Sequence, residues 1–149
     1  MLVIKTTPAG FSLIELLIAI GILAIIAIIC VPFFDGAIKN YNLSSATRDL
    51  TSDLRYAQQL AVTTQVNYSV SFNVNSNSYQ IKNTATSTAI KTVTIKNNIR
   101  LQNISGLTSS TVTFNATGAA LSIGSITLIN PLNHTAIIEI KPSGYVKID

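Results

Sequence analysis

Apolar residues follow one period in the first part of the chain and another in the second. From Leu16 to Phe34, 19 consecutive residues carry no charge, which is long enough to cross a bilayer as one helix. Apolar residues then recur at steps of three and four, which is typical of an amphipathic helix with one core-facing stripe. The stripe consists of Ile38, Tyr41, Ala46, Leu50, Leu54, Ala57 and Ala61. No strong helix breaker follows Gly36, so the pattern predicts one helix from Phe11 to about Thr64.

After Thr64 the period changes to two. Val66 to Val74 alternates apolar and polar residues, which predicts a half-buried strand, and residues 75–77 form the turn into a return strand that begins at Tyr79. Residues 83–89 are rich in Ser and Thr and are predicted to be a surface loop. Further strands are predicted at 90–96, 99–102, 111–115, 119–123, 125–130, 135–141 and 145–149. The sequence therefore predicts an α+β fold in which a long N-terminal helix packs on a small antiparallel β domain.

Composition limits the class of protein. Of the 149 residues, 48% are hydrophobic and 11% are charged, and the mean hydropathy is +0.44. This combination excludes a disordered chain, and one apolar stretch excludes a multi-span transporter. Within these residues Cys30 is the one cysteine and His134 the one histidine, which excludes an intrachain disulfide and a structural zinc site.

The apolar stretch is preceded by an acid, Glu15. An ionisable residue in a membrane segment is costly and needs a partner, but no Lys, Arg or His follows it before Lys39. A new N-terminal amine, formed if the chain is cut ahead of Phe11, is the candidate cation, in this chain or in a neighbouring subunit. A secretory signal peptide is disfavoured because the run is longer than usual and no small-residue cleavage site follows Cys30. An ordinary membrane anchor remains open.

Residues 10–15, Gly-Phe-Ser-Leu-Ile-Glu, followed by the apolar run, resemble the class III signal of type IV pilins and pseudopilins. The resemblance implies that residues 1–10 are a leader peptide, cut after Gly10 by an inner-membrane prepilin peptidase that also N-methylates Phe11. It implies that Glu15 pairs with the N-terminal amine of an adjacent subunit and sets the register of assembly. Pro32 stands where helices of this family commonly bend.

The C-terminal half narrows the resemblance. Residues 114–118, 124–128, 138–140 and 144–147 carry a Phe, Gly and strand spacing similar to that of the GspH/FimT group of minor pseudopilins. The arginine-rich ending of that group is reduced here to Lys141 and Lys147. The glycines at 118, 124 and 144 are interpreted as turn residues.

The two resemblances imply a minor subunit of a type II secretion pseudopilus or a type IV pilus, with residues 11–34 as the membrane and assembly half of the helix. Residues 35–64 are its amphipathic half, and residues 65–149 form a periplasmic β domain. The implied location is the bacterial inner membrane, crossed once. The implied partners are the prepilin peptidase, other pilins or pseudopilins, the inner-membrane assembly platform and the lipid bilayer.

No catalytic or metal-binding set is predicted, and no cofactor. Serine and threonine are abundant, but no candidate base recurs beside them in a motif. His134 lies in an Asn-rich connection and is predicted to be a solvated loop residue. Asp49 and Asp53, one helical turn apart, are interpreted as a solvated pair rather than a metal site.

DNA binding is the main alternative, because residues 36–149 hold nine basic and four acidic residues. A pilus-borne subunit for natural transformation would use Lys141 and Lys147, with Lys91, Lys96 and Arg100 as further phosphate contacts. These bases are scattered and lack interleaved aromatic residues, so a solvated basic surface is the favoured interpretation and nucleic acid is not expected as a partner. A membrane-anchored periplasmic domain without a filament role is the second alternative.

Overall fold

The computed structural model of the protein describes the backbone of residues 10–149 and the side chains of residues 10–30 and 34–149. Residues 1–9 of the predicted leader lie outside the described residues. One α-helix, α1, covers Leu13–Thr64 and continues through position 32, as the sequence predicted to within two residues at its start. The chain divides between Gly36 and Ala37 into two compact units.

The second unit contains eight strands in two antiparallel sheets of four. The strands are β1 (Tyr68–Asn73), β2 (Ser78–Asn83), β3 (Ala89–Thr94), β4 (Arg100–Ser105), β5 (Thr111–Phe114), β6 (Gly124–Ile129), β7 (Thr135–Ile140) and β8 (Val146–Ile148). A short 3₁₀ helix, Thr108–Ser110, precedes β5. The strand order is β3-β2-β1-β5 in the first sheet and β4-β6-β7-β8 in the second, which confirms the predicted α+β class.

The core lies where one stripe of α1 meets the apolar faces of both sheets. Every second side chain of a strand points into this core, because successive residues of a strand point to opposite faces of the sheet. The buried helix residues are Leu43, Leu50, Leu54, Ala57 and Ala61, and the largest fully buried strand residues are Phe114, Ile81, Ile126, Leu128 and Ile138. All belong to one continuous apolar cluster, so the helix and the two sheets share a single core.

The predicted stripe is wrong at its N-terminal end. Ile38 and Tyr41 are exposed, Tyr41 by 73%, whereas burial of the helix begins at Leu43. The period of the sequence is correct, but the sheets cover the helix only from that point onward. Periodicity identifies the apolar face of a helix and cannot show where its covering layer begins.

The predicted strand at 119–123 is also wrong, since this segment forms only one bridge, between Ala120 and Phe114. Gly118 has a φ of +84°, which turns the chain sharply before the segment. The backbone N–H of Ala120 then donates to the carbonyl of Pro142, 3.1 Å away. The segment therefore shares its hydrogen bonds between β5 and the β7–β8 turn and follows neither as a strand.

Asn77, in the β1–β2 turn, fastens the first sheet to the start of the second. Its Nδ2 donates to the carbonyls of Ile95 (3.0 Å) and Ile99 (2.7 Å), and its Oδ1 accepts from the N–H of Leu101 (2.8 Å). The residue has a φ of +49°, a conformation that Asn adopts more readily than most residues. These bonds fix the β3–β4 connection at the end of the β domain where α1 enters it.

Candidate functional site

The motif at the N-terminus of the described chain is fully accessible. Gly10 and Phe11 are exposed and precede the helix, which begins at Leu13. The carbonyl of Ser12 accepts hydrogen bonds from the N–H groups of Glu15 (3.0 Å) and Leu16 (3.2 Å). Glu15 therefore stands in the first turn of α1, where the partial positive charge of the helix N-terminus favours a carboxylate.

The apolar segment has no covering layer in the described chain. The window Leu13–Cys30 has a mean hydropathy of 3.1, and none of it is buried. Exposed apolar surface of this extent is not stable in water and marks contact with a membrane or with other proteins. The segment is long and apolar enough to cross a bilayer, and within it Glu15 is the one charged residue.

Asp53 is buried, not solvated as the sequence suggested; Asp49 is exposed as predicted. The Asp53 carboxylate accepts a hydrogen bond from the hydroxyl of Tyr79 (2.7 Å) and pairs with the ammonium of Lys91 (2.6 Å). These two partners lie on β2 and β3, so the pair ties the helix to the first sheet. Burial and the neighbouring carboxylate raise the pKa of Tyr79 well above its ordinary value.

This raised pKa predicts a specific loss of stability in alkali. Tyr79 ionises near pH 10 in the unfolded chain and only at higher pH in the folded one, so its contribution is complete below about pH 10 and is lost above it. We expect Tyr79→Phe to flatten the fall in the urea midpoint as the pH rises above about 10, measured on the full chain in mild detergent. Tyr145→Phe, at an exposed tyrosine, is the control and should keep the wild-type slope. Equal slopes for all three proteins would contradict the prediction.

A second polar junction holds the β6–β7 turn against α1. Nδ2 of the buried Asn130 donates to Oδ1 of Asn40 (3.0 Å), and the same oxygen is 2.7 Å from Nδ1 of His134. His134 is exposed, as predicted for a loop residue. The ring of His134 and the side chain of Asn130 together hold the β6–β7 turn against α1 at Asn40.

Lys141 and Lys147, the residues proposed for DNA contact, are each paired with an acid. The ammonium of Lys141 lies 2.6 Å from Glu139, and that of Lys147 contacts the carboxylate of Asp149, which raises the lysine pKa. Glu139 and Lys147 are also opposite each other in the β7–β8 register. Lys141 directly follows β7 and Lys147 lies on the adjacent β8, but each contacts a carboxylate, and this arrangement disfavours phosphate.

The glycines at 118 and 144 do more than allow turns. Both have positive φ, +84° and +77°, in agreement with the predicted turns. They also meet each other: Gln58 of α1 donates to the carbonyl of Gly118 (2.6 Å), and Gly144 lies directly against both groups. Two turns of the β domain thus converge on one side chain of the helix.

Metal binding has no support in residues 10–149. No group of three or more His, Cys, Asp or Glu side chains in that part of the chain is placed to hold a metal ion.

An exposed methylation-type motif, an apolar helix and an α-helix packed on antiparallel sheets together define the pilin-like class of α+β proteins. Residues 7–31 match the prokaryotic N-terminal methylation motif, and residues 46–144 match the family described as type II transport protein GspH. The chain belongs to this GspH family, a family of structural pilin and pseudopilin subunits.

Solved structures share the fold. The type IV minor pilin FimU of Pseudomonas aeruginosa is 15% identical, with a TM-score of 0.63 over 74% of this chain and 90% of that one. The minor pseudopilin EpsH from the type 2 secretion system of Vibrio cholerae is 11% identical, with a TM-score of 0.61 over 72% and 96%. At these identities the likeness concerns the fold. No curated protein sequence matches the chain.

Proposed function

We propose that this protein is a minor pilin or pseudopilin that is inserted in the inner membrane as a precursor, cut after Gly10, N-methylated at Phe11 and assembled into a filament. The observation that best supports this proposal is the apolar helix window Leu13–Cys30. None of this window is buried, and an exposed motif of the cleavage type lies at its N-terminal end. The bilayer covers this surface before assembly, and other subunits of the same kind cover it afterwards. The role is assembly, not catalysis.

Glu15 guides assembly in this proposal. Its carboxylate attracts the N-terminal amine of a neighbouring subunit as the helices come together out of the bilayer, because an acid among apolar helices needs an opposite charge. The β domain faces outward on the periplasmic side. Since Glu15 is present, the subunit is added beneath another one instead of starting the tip. The prepilin peptidase and the inner-membrane assembly platform act on it in turn.

The state of the mature N-terminus tests the first step. We expect mass spectrometry of the protein from cells with active prepilin peptidase to give a chain that begins at N-methylated Phe11. Gly10→Leu should leave an uncut precursor because the peptidase site needs the small residue at the cut. Gly36→Leu is the matched control: apart from the adjoining backbone, no atom lies within 4 Å of an added Cβ at either glycine, and this variant should be cut normally.

The same experiment separates the proposal from the membrane-anchor alternative. A mature chain that begins at residue 1 and carries no methyl group would support a membrane-anchored domain without a filament role. A DNA-uptake role receives no support from the ion pairs of Lys91, Lys141 and Lys147. FimU is named as a type IV minor pilin and EpsH as a type 2 secretion pseudopilin, so our proposal extends to either kind of filament.

A further inference from the structure

The structure divides the five basic residues that the sequence grouped as phosphate contacts. Lys91, Lys141 and Lys147 each pair with a carboxylate. Lys96 and Arg100 are exposed and form no ion pair with the described residues. Of these five residues, the two without a carboxylate partner therefore lie close together, Lys96 on the β3–β4 connection and Arg100 at the start of β4.

These two residues border an open cleft of about 590 Å³. Its lining includes Asn77, Lys96, Asn97, Asn98, Arg100 and Pro131. Asn97 and Asn98 both have a φ of +59° and form a tight turn closed by the N–H of Ile99 and the carbonyl of Lys96, 3.2 Å apart. The guanidinium of Arg100, the ammonium of Lys96 and the side-chain amides of Asn97 and Asn98 border one cleft, and such donors suit the oxygens of a phosphate.

The cleft lies at the end of the β domain from which the chain leads to its apolar segment. Pro131 adjoins Asn130, whose side chain bonds to Asn40 of α1. Only ten residues of chain separate Asn40 from Cys30, the last residue of the apolar window, so this end of the β domain is connected to the membrane segment by a short stretch of chain. The headgroup layer adds several ångströms to the hydrocarbon core, and surface charge acts over a Debye length of about 8 Å.

We propose that this cleft binds the phosphate of anionic phospholipid headgroups and holds this end of the β domain against the membrane surface before assembly. The inference rests on membrane insertion of the apolar segment, which belongs to the proposed function. Each lysine or arginine beside an anionic leaflet raises the affinity of a protein for the membrane surface about fivefold. Departure from the bilayer during assembly breaks these contacts, so the anionic lipid favours the unassembled subunit.

The test uses the full chain in vesicles of phosphatidylcholine, alone or mixed with phosphatidylglycerol. In a Cys30→Ser background, a fluorophore is placed at Asn75→Cys in the β1–β2 turn, or at Tyr145→Cys in the β7–β8 turn at the other end of β7. Quenching by a lipid with a nitroxide on its headgroup reports proximity to the surface. We expect phosphatidylglycerol to increase quenching at position 75, and not at position 145.

Lys96→Gln with Arg100→Gln should abolish this increase. Arg55→Gln with Lys82→Gln removes the same charge and residue types away from the cleft and should preserve it. The proposal is overturned if phosphatidylglycerol has no effect at position 75, or if both double variants lose the effect equally. It is also overturned if Lys96 and Arg100 are needed for binding of duplex DNA or inorganic phosphate but not for contact with the vesicle surface. Flotation with the vesicles checks insertion separately, so a failure of the proposed function is distinguishable.

Discussion

Glu15→Ala is expected to lower incorporation of the subunit into filaments at least tenfold, while the precursor is still inserted and cut after Gly10. In the proposed filament the apolar window Leu13–Cys30 packs among other such helices, where an unpaired charge costs several kcal/mol. In the proposed mechanism, removal of the acid leaves the N-terminal amine of the neighbouring subunit without its partner. A loss of about 1.4 kcal/mol in the free energy of incorporation is enough to lower the incorporated fraction about tenfold. Quantitative immunoblotting of sheared filaments against total membranes measures the ratio.

Glu15 also has a second, local role that a control must separate. In the first turn of α1 its carboxylate stabilises the helix N-terminus by about 0.3–1 kcal/mol. The swap Glu15→Leu with Leu16→Glu keeps the composition and an acid close to the helix N-terminus, but moves the carboxylate about 100° around the helix. We expect the swapped protein to be as defective in filaments as Glu15→Ala. Wild-type incorporation of either variant would contradict the pairing mechanism.

The helix and the class of the fold were predictable because they depend on local periodicity. Steps of three and four, followed by alternation after Thr64, gave the boundaries of α1 and most of the strands. Predictions failed where a tertiary partner decides. Ile38 and Tyr41 continue the apolar period but lie beyond the part of the helix that the sheets cover. At 119–123 the hydrogen bonds of the segment go to two different elements.

The polar junctions could not be predicted for the same reason. Asp53 contacts Tyr79 and Lys91, which lie 26 and 38 residues further along the chain, and the sequence on either side of Asp53 indicates neither partner. Asn77 lies in an Asn-rich turn that signals only a change of direction. Charge counting treated all lysines of the β domain alike, and only the structure separates those held by carboxylates from Lys96. The motif at 10–15 was predictable since its spacing is local.

Gly144→Ala is expected to destabilise the β domain by about 3 kcal/mol or more, because two costs combine there. A φ of +77° is unfavourable for any residue with a Cβ. The added carbon would also overlap the carbonyl oxygen of Gly118 and Nε2 of Gln58. The Gln58 side chain can turn away, but the carbonyl belongs to a backbone fixed by its own turn.

Urea unfolding of the full chain in mild detergent, followed by circular dichroism, measures this effect. Gly36→Ala is the matched control: an added Cβ there meets no atom within 4 Å, and alanine favours a helix by about 0.5–1 kcal/mol over glycine. Gln58→Ala alone should cost about 1 kcal/mol for the lost hydrogen bond. Combined with Gly144→Ala it should not restore stability, since the Gly118 carbonyl remains. The prediction is contradicted if Gly144→Ala unfolds at the wild-type urea concentration. In that case the β7–β8 turn would move away from α1 without cost, and the contacts of both turns with Gln58 would not stabilise the domain.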